Sequence, residues 1–246
     1  SFAVAFVEAA RLLGRDVDYD TVRVLSGNAF SHRLGSAVSC AAWWHAASRE
    51  HGIRDVARSL GLRARQISDE GLPRDSDDVA EMERQQHARA EKTRAALDAG
   101  EVVLTSGGWE DAVWFWPGIV TGVDEDGTLR GACLNGESDN RAGPSGAIWG
   151  ISIAAPTPAP DAIDREFLRR AVRQLRGEGE PFVSDDDGVY GLAAMDRWAN
   201  RMATVEHFCD PCQSREAGSA VGCAWLTAVT LTEGAAAVAS YLRERA

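Results

Sequence analysis

Histidine and cysteine are scarce in this 246-residue chain, five of each, and lysine is nearly absent, arginine supplying almost all of the 26 basic residues. Each shortage excludes something. An odd handful of cysteines does not make the paired framework of a small secreted domain, so a reduced cytoplasm is the expected compartment. The basic residues are outnumbered by 37 acidic ones, for a formal net charge of −11. A chain of that sign does not follow a phosphate backbone, and neither nucleic acid nor an anionic membrane is an expected partner. No apolar run approaches the roughly 20 residues that a bilayer-spanning helix needs. No leader is visible, but the chain opens at Ser1 without a methionine, so a trimmed leader stays open. Arginine in place of lysine, with abundant alanine, points to a GC-rich bacterial source.

What is present suits a folded body. Hydrophobic residues make up 45% and charged ones 26%, enough for a substantial core in one large domain or two small ones. Phe2, Phe6, Ala9, Ala10 and Leu13 recur at helical spacing ahead of Gly14, predicting a buried first helix. Asp20 is placed to cap a short helix through Val22, Val24 and Leu25, closed by Ser26-Gly27. A helix from Cys40 to Glu50 carries Trp43 and Trp44, and another holds Ile53, Val56, Ala57 and Leu60 before Gly61. Residues 77–99 are the most polar stretch, with opposite charges three or four apart, which predicts an exposed helix ended by Gly100.

Strand signals follow: 63–67, Val102–Thr105, Val113 through Val123, Thr128–Leu134 and Ala147–Ala154. Asp124-Glu125-Asp126-Gly127 predicts a hairpin turn, and 135–146 a loop. Pro156, Pro158 and Pro160 break the chain. Beyond them Asp161 or Asp164 is placed to cap a helix through Phe167, Leu168, Ala171, Val172 and Leu175, stopped by Gly177. Tyr190 to Met202 reads as helical, and Ala- and Val-rich helices close the chain. Helices, then a small antiparallel sheet, then helices define an α+β class. The expected organisation is a core over 1–155 with the helical part 156–246 packed on it.

The sharpest chemical signal is His207-Phe-Cys209-Asp-Pro-Cys212 followed by Cys223. Cys-x-x-Cys on a tight turn lets two sulfurs converge, and His207 and Cys223 would complete a tetrahedron around a structural zinc. Two other readings stand beside it. Cys-Asp-Pro-Cys has the form of a redox motif, although such motifs follow a strand, and the thiols could simply pack together.

Cys40 opens its helix, where the macrodipole lowers a thiol's pKa and favours thiolate. His45, five residues on, lies on a different face, so His32 in the preceding loop, or a distant histidine, would have to serve as the base. The alternative for Cys40 is a small buried hydrophobe. Ser1, with its own amine as base, is a chemically open nucleophile; an N-terminus that continues upstream is the plainer account. Trp109, Trp114 and Trp116 are candidates to line an apolar substrate pocket, or else they are core and strand aromatics.

Three stretches carry a resemblance. They are Asp18-Tyr19 leading to Leu25-Ser26-Gly27-Asn28-Ala29-Phe30, then Gly118-Ile119-Val120-Thr121-Gly122-Val123-Asp124, then Gly191-Leu192-Ala193-Ala194-Met195-Asp196-Arg197-Trp198-Ala199. Together they make the chain similar to an uncharacterised bacterial family related to butirosin biosynthesis protein H and to C39-like, papain-like peptidases. The resemblance implies a papain-like core with a small antiparallel sheet and additional C-terminal helices. It also implies a cysteine at the start of a buried helix, a histidine on a later strand to activate it, and an Asn or Asp to orient that histidine. Asn135 is the residue available for the orienting role.

Two functions follow. One is a thiol hydrolase or acyltransferase acting on a small acyl or peptidyl substrate in secondary metabolism, with Cys40, His32 and Asn135 as its groups. The other is a catalytically inactive relative that binds a small molecule or a protein through the aromatic strand. The lack of any histidine between His87 and His207 favours the second, and Cys40 at a helix start favours the first.

Overall fold

The computed structural model describes residues 2–30, 33–34, 50–68, 79–106, 109, 117–133, 140–142, 147–178, 189–204 and 218–245. Among them are helices α1 (Phe2–Leu12), α2 (Tyr19–Leu25), α3 (Glu50–Ser59), α4 (Val79–Asp98), α5 (Pro160–Leu175), α6 (Leu192–Thr204) and α7 (Gly218–Glu244). The strands are β1 (Arg33–Leu34), β2 (Leu62–Ser68), β3 (Val102–Ser106), β4 (Pro117–Val123), β5 (Leu129–Cys133), β6 (Asn140–Ala142), β7 (Ile148–Ile153) and β8 (Val189–Tyr190). The class is mixed α+β with an antiparallel main sheet. No helix among the described residues is long and apolar enough to cross a membrane.

The chain gathers into two units, Ser1–Val22 with Ala57–Thr157, and Arg23–Val56 with Pro158–Ala246. One cut falls inside the proline run, and the others inside α2 and α3.

In the first unit six strands form one sheet in the order β2-β7-β3-β4-β5-β6, every pair antiparallel. Strand β7 runs between β2 and β3, and Ile148, Trp149 and Ile151 bury side chains on both its faces. Alternation sorts the rest. Helix α1, with Ala3, Phe6, Ala9 and Ala10 buried, meets β3 and β4. Helix α4 meets β2, β3 and β4. Between α4 and the sheet lies a cluster of Ile67, Ala96, Val103, Trp109, Val120, Leu129, Cys133 and Ile148. The polar helix leaves Glu83, Arg84, Glu91, Lys92 and Asp98 exposed, half-buries Arg89 and Arg94, and buries Ala90, Thr93 and Ala96, a narrow stripe that charge pattern alone conceals.

The second unit is built on α5 and α7. Phe167 of α5 lies between Phe30 and Tyr241, its ring centroid 5.5 Å from the first and 5.0 Å from the second, both tilted. Gly234 lets α7 approach the backbone of Ala29, whose carbonyl oxygen would stand 2.5 Å from any Cβ added there. Arg170 donates to the Leu25 carbonyl at 2.5 Å and pairs with Asp55 at 3.1 Å. Arg23, buried, pairs with Glu233 at 3.2 Å. Strand β1 pairs with β8, Arg33 opposite Tyr190, and α6 packs on both.

Several local expectations shift by a few residues. Asp18 caps α2 in place of Asp20: its carboxylate accepts the Thr21 amide at 2.8 Å and the Thr21 hydroxyl at 2.7 Å. Neither Asp161 nor Asp164 caps α5, because Pro160 enters at the first helical position behind Ala159, which makes no side-chain cap. Tyr190 belongs to β8, and α6 starts only at Leu192. The closing segment is one 27-residue helix.

Candidate functional site

Most of the residues singled out by chemistry lie outside the described residues: His32, Cys40, Asn135, Trp114, Trp116, His207, Cys209 and Cys212. Cys223 lies on α7, between Gly218 and Glu244. Among the described residues no group of three or more His, Cys, Asp or Glu is placed to hold a metal ion.

Trp109 is placed in detail. It is 2% exposed and belongs to the cluster between α4 and the sheet. Two glycines make its seat. A Cβ on Gly118 of β4 would stand 2.5 Å from its Cζ2, and one on Gly131 of β5 would stand 2.8 Å from its Cη2. The indole thus covers a patch of bare backbone on two neighbouring strands. Packing accounts for the ring but not for Nε1, which is buried without a hydrogen-bond partner among the described residues.

On the same face, Glu101 carries a buried carboxylate, its side chain 6% exposed. It accepts from Arg65 Nε at 2.9 and 3.0 Å, and Arg65 Nη2 stands 2.8 Å from Oε2. Arg63 stands farther off at 4.0 Å. Glu101 precedes β3 and Arg65 lies on β2, so the side chain crosses β7, and it crosses at Gly150, where an added Cβ would collide with Oε2. A fork of guanidinium donors on a buried carboxylate is a strong, oriented contact. Glu101 itself has no sequence signal; Gly150 inside an apolar strand was the available one, marking a close approach.

The second unit holds the other polar constellation. Asp164 accepts the Tyr241 hydroxyl at 2.6 Å and pairs with Arg245 Nε at 2.7 Å, while the Arg245 guanidinium lies over the Tyr241 ring, 4.5 Å from its centroid. Burial, and then the Asp164 carboxylate, push the Tyr241 phenol up to about 12, with Arg245 pulling the other way. Such a phenol is neutral at ordinary pH and serves as a donor, fastening the end of α7 to the start of α5.

Comparison with family models, with curated proteins and with solved structures finds no match to this chain.

Proposed function

We propose that the chain is a thiol hydrolase or acyltransferase with a papain-like core, acting on a small acyl or peptidyl substrate in bacterial secondary metabolism. The observation that supports this reading is the layering of the first unit, a buried helix packed on an all-antiparallel sheet, α1 on β3 and β4. Cys40 is the nucleophile and His32 its base. The Cys40 sulfur attacks the acyl carbon, and His32 takes the thiol proton and returns it to the leaving group. Water or an acceptor amine then releases the acyl group, and Asn135 is the residue that the resemblance offers for the orienting role. Trp114 and Trp116 make the apolar wall; Trp109, the third candidate, is 2% exposed and packs in the core between α4 and the sheet.

A second reading, an inactive relative that binds a small molecule or a protein, is favoured by one observation. Strands β3, β4 and β5 carry no histidine where the resemblance calls for one. Iodoacetamide labelling with mass mapping separates the two. An activated thiolate makes Cys40 react quickly and selectively at about pH 6, ahead of the buried Cys133. Sluggish labelling of Cys40 leaves the binding protein.

The proposed structural role of His207, Cys209, Cys212 and Cys223 is separate from either reading. Four protein donors fill a zinc ion's tetrahedron and leave no position for water. Protein purified without a histidine tag is expected to hold one zinc per chain, lost together on Cys209→Ser and Cys212→Ser. Zinc well below one equivalent ends the idea.

A further inference from the structure

Helix α5 turns an unusual face outward. Between Arg165 and Arg176 the chain carries five arginines, in a protein whose formal net charge is −11. Arg170 points inward, to Leu25 and Asp55. The other four, Arg165, Arg169, Arg173 and Arg176, are exposed, and so are Leu168 at 52% and Val172 at 46%. At 3.6 residues per turn, Arg165, Arg169, Val172 and Arg176 fall within an arc of about 60°, with Leu168 and Arg173 on its two margins. The stripe runs about 16 Å along the helix. Its inner side is already occupied, Ile163 and Phe167 being buried in the second unit.

Acid within the same segment answers only part of the stripe. Arg169 pairs with Glu166 at 2.7 Å and Arg176 stands 4.0 Å from Glu178, while Asp161 is exposed in the first turn. Arg165 and Arg173 have no ion-pair partner among the described residues. Arginines at i, i+4 and i+8 form one ridge, and two aliphatic side chains border it. Guanidinium forks in a row select carboxylates in a row, and the exposed leucine and valine select an apolar margin beside them.

We propose that the outer face of α5 docks an acidic amphipathic helix of a partner protein, with carboxylates at i and i+4 on the arginine ridge and apolar side chains against Leu168 and Val172. A polyphosphate has no use for the aliphatic margin beside the arginines. An anionic bilayer finds on this face only two aliphatic side chains and no aromatic to insert. The docking face is independent of the thiol chemistry proposed above and stands or falls without it.

The probe is a fluorescein-labelled amphipathic peptide with glutamate and leucine at these spacings, its glutamine counterpart serving as control. Fluorescence anisotropy on the full chain should show binding that weakens with salt and drops about tenfold or more for the glutamine peptide. Arg165→Glu with Arg173→Glu should weaken binding by a similar factor, and Leu168→Ser with Val172→Ser by a smaller one. These side chains are exposed, so thermal unfolding should be unchanged. No binding, equal binding of the glutamine peptide, or an unaffected arginine variant overturns the proposal. So does a face that the same variants show to be used instead for phosphatidylglycerol vesicles or for self-association of the chain.

Discussion

Glu101 reaches Arg65 across an intervening strand, and it does so because residue 150 has no side chain. A methyl group there strikes the carboxylate, so Gly150→Ala should destabilise the protein by about 1–3 kcal/mol, the usual cost of overpacking a filled site. The clash and the ion pair are one event, which a double-mutant cycle in chemical denaturation can show. In a Glu101→Ala background, Gly150→Ala should cost much less, and strict additivity of the two changes would refute the geometry. Tyr241 is the second residue with a sharp consequence. Its folded value of about 12 lies above the ordinary 10.0, so the folded state holds the phenolic proton more tightly than the unfolded chain does. Its contribution to stability is therefore complete below the ordinary value and is lost as pH climbs towards about 12. An absorbance titration should show a tyrosinate step near about 12 that disappears in Tyr241→Phe. The same variant loses a hydrogen bond to a carboxylate and should be less stable by about 1.5–3 kcal/mol.

Helix ends are where sequence and structure meet most closely. Helices α1, α4 and α5 close on one motif: the residue after the glycine bonds back five positions and the glycine bonds back three. The glycines, Gly14, Gly100 and Gly177, all have φ between 72° and 75°, a backbone that other residues adopt only under strain, so these stops could be read directly. Helix starts were harder. Asp18 and Asp20 are equally good acceptors by type, and only the phasing of the first turn selects Asp18, three residues before the Thr21 amide. Asp18→Ala should cost about 1 kcal/mol and Asp20→Ala only a few tenths. Burial acts to raise the Asp18 carboxyl, but the Thr21 amide and hydroxyl outweigh it and hold it below 3.8. Its contribution is thus present above the ordinary carboxylate range and is lost as pH falls through it, so the Asp18→Ala protein should show a flatter acid limb in unfolding experiments. Strands β1, β6 and β8 had no such signal, since two or three residues cannot display a period.

At the scale of the whole molecule, both units are discontinuous in sequence. The C-terminal helices depend on residues far upstream: Phe30 against Phe167, Ala29 under Gly234, Arg23 with Glu233. A fragment of residues 158–246 lacks those partners and should unfold without cooperativity in circular dichroism, whereas a sharp transition would show that the segment folds alone. The sequence by itself determined the helical first segment, the polar helix, the central hairpin, the breaks at glycine and proline, and the α+β class. These follow from periodicity, turn chemistry and backbone restriction, all of which act between near neighbours. It also supplied the thiols and imidazoles on which the functional proposal rests, as residue types at suggestive spacings. The tertiary structure decided what those local rules cannot reach. It set the place of β7 between β2 and β3, the seat of Trp109 on two glycines, the passage of Glu101 over Gly150, and the joining of residues 23–56 to the C-terminal helices. Each is a contact between residues distant in the chain, chosen by shape and by burial of charge, and one-dimensional pattern carries no record of which surfaces meet.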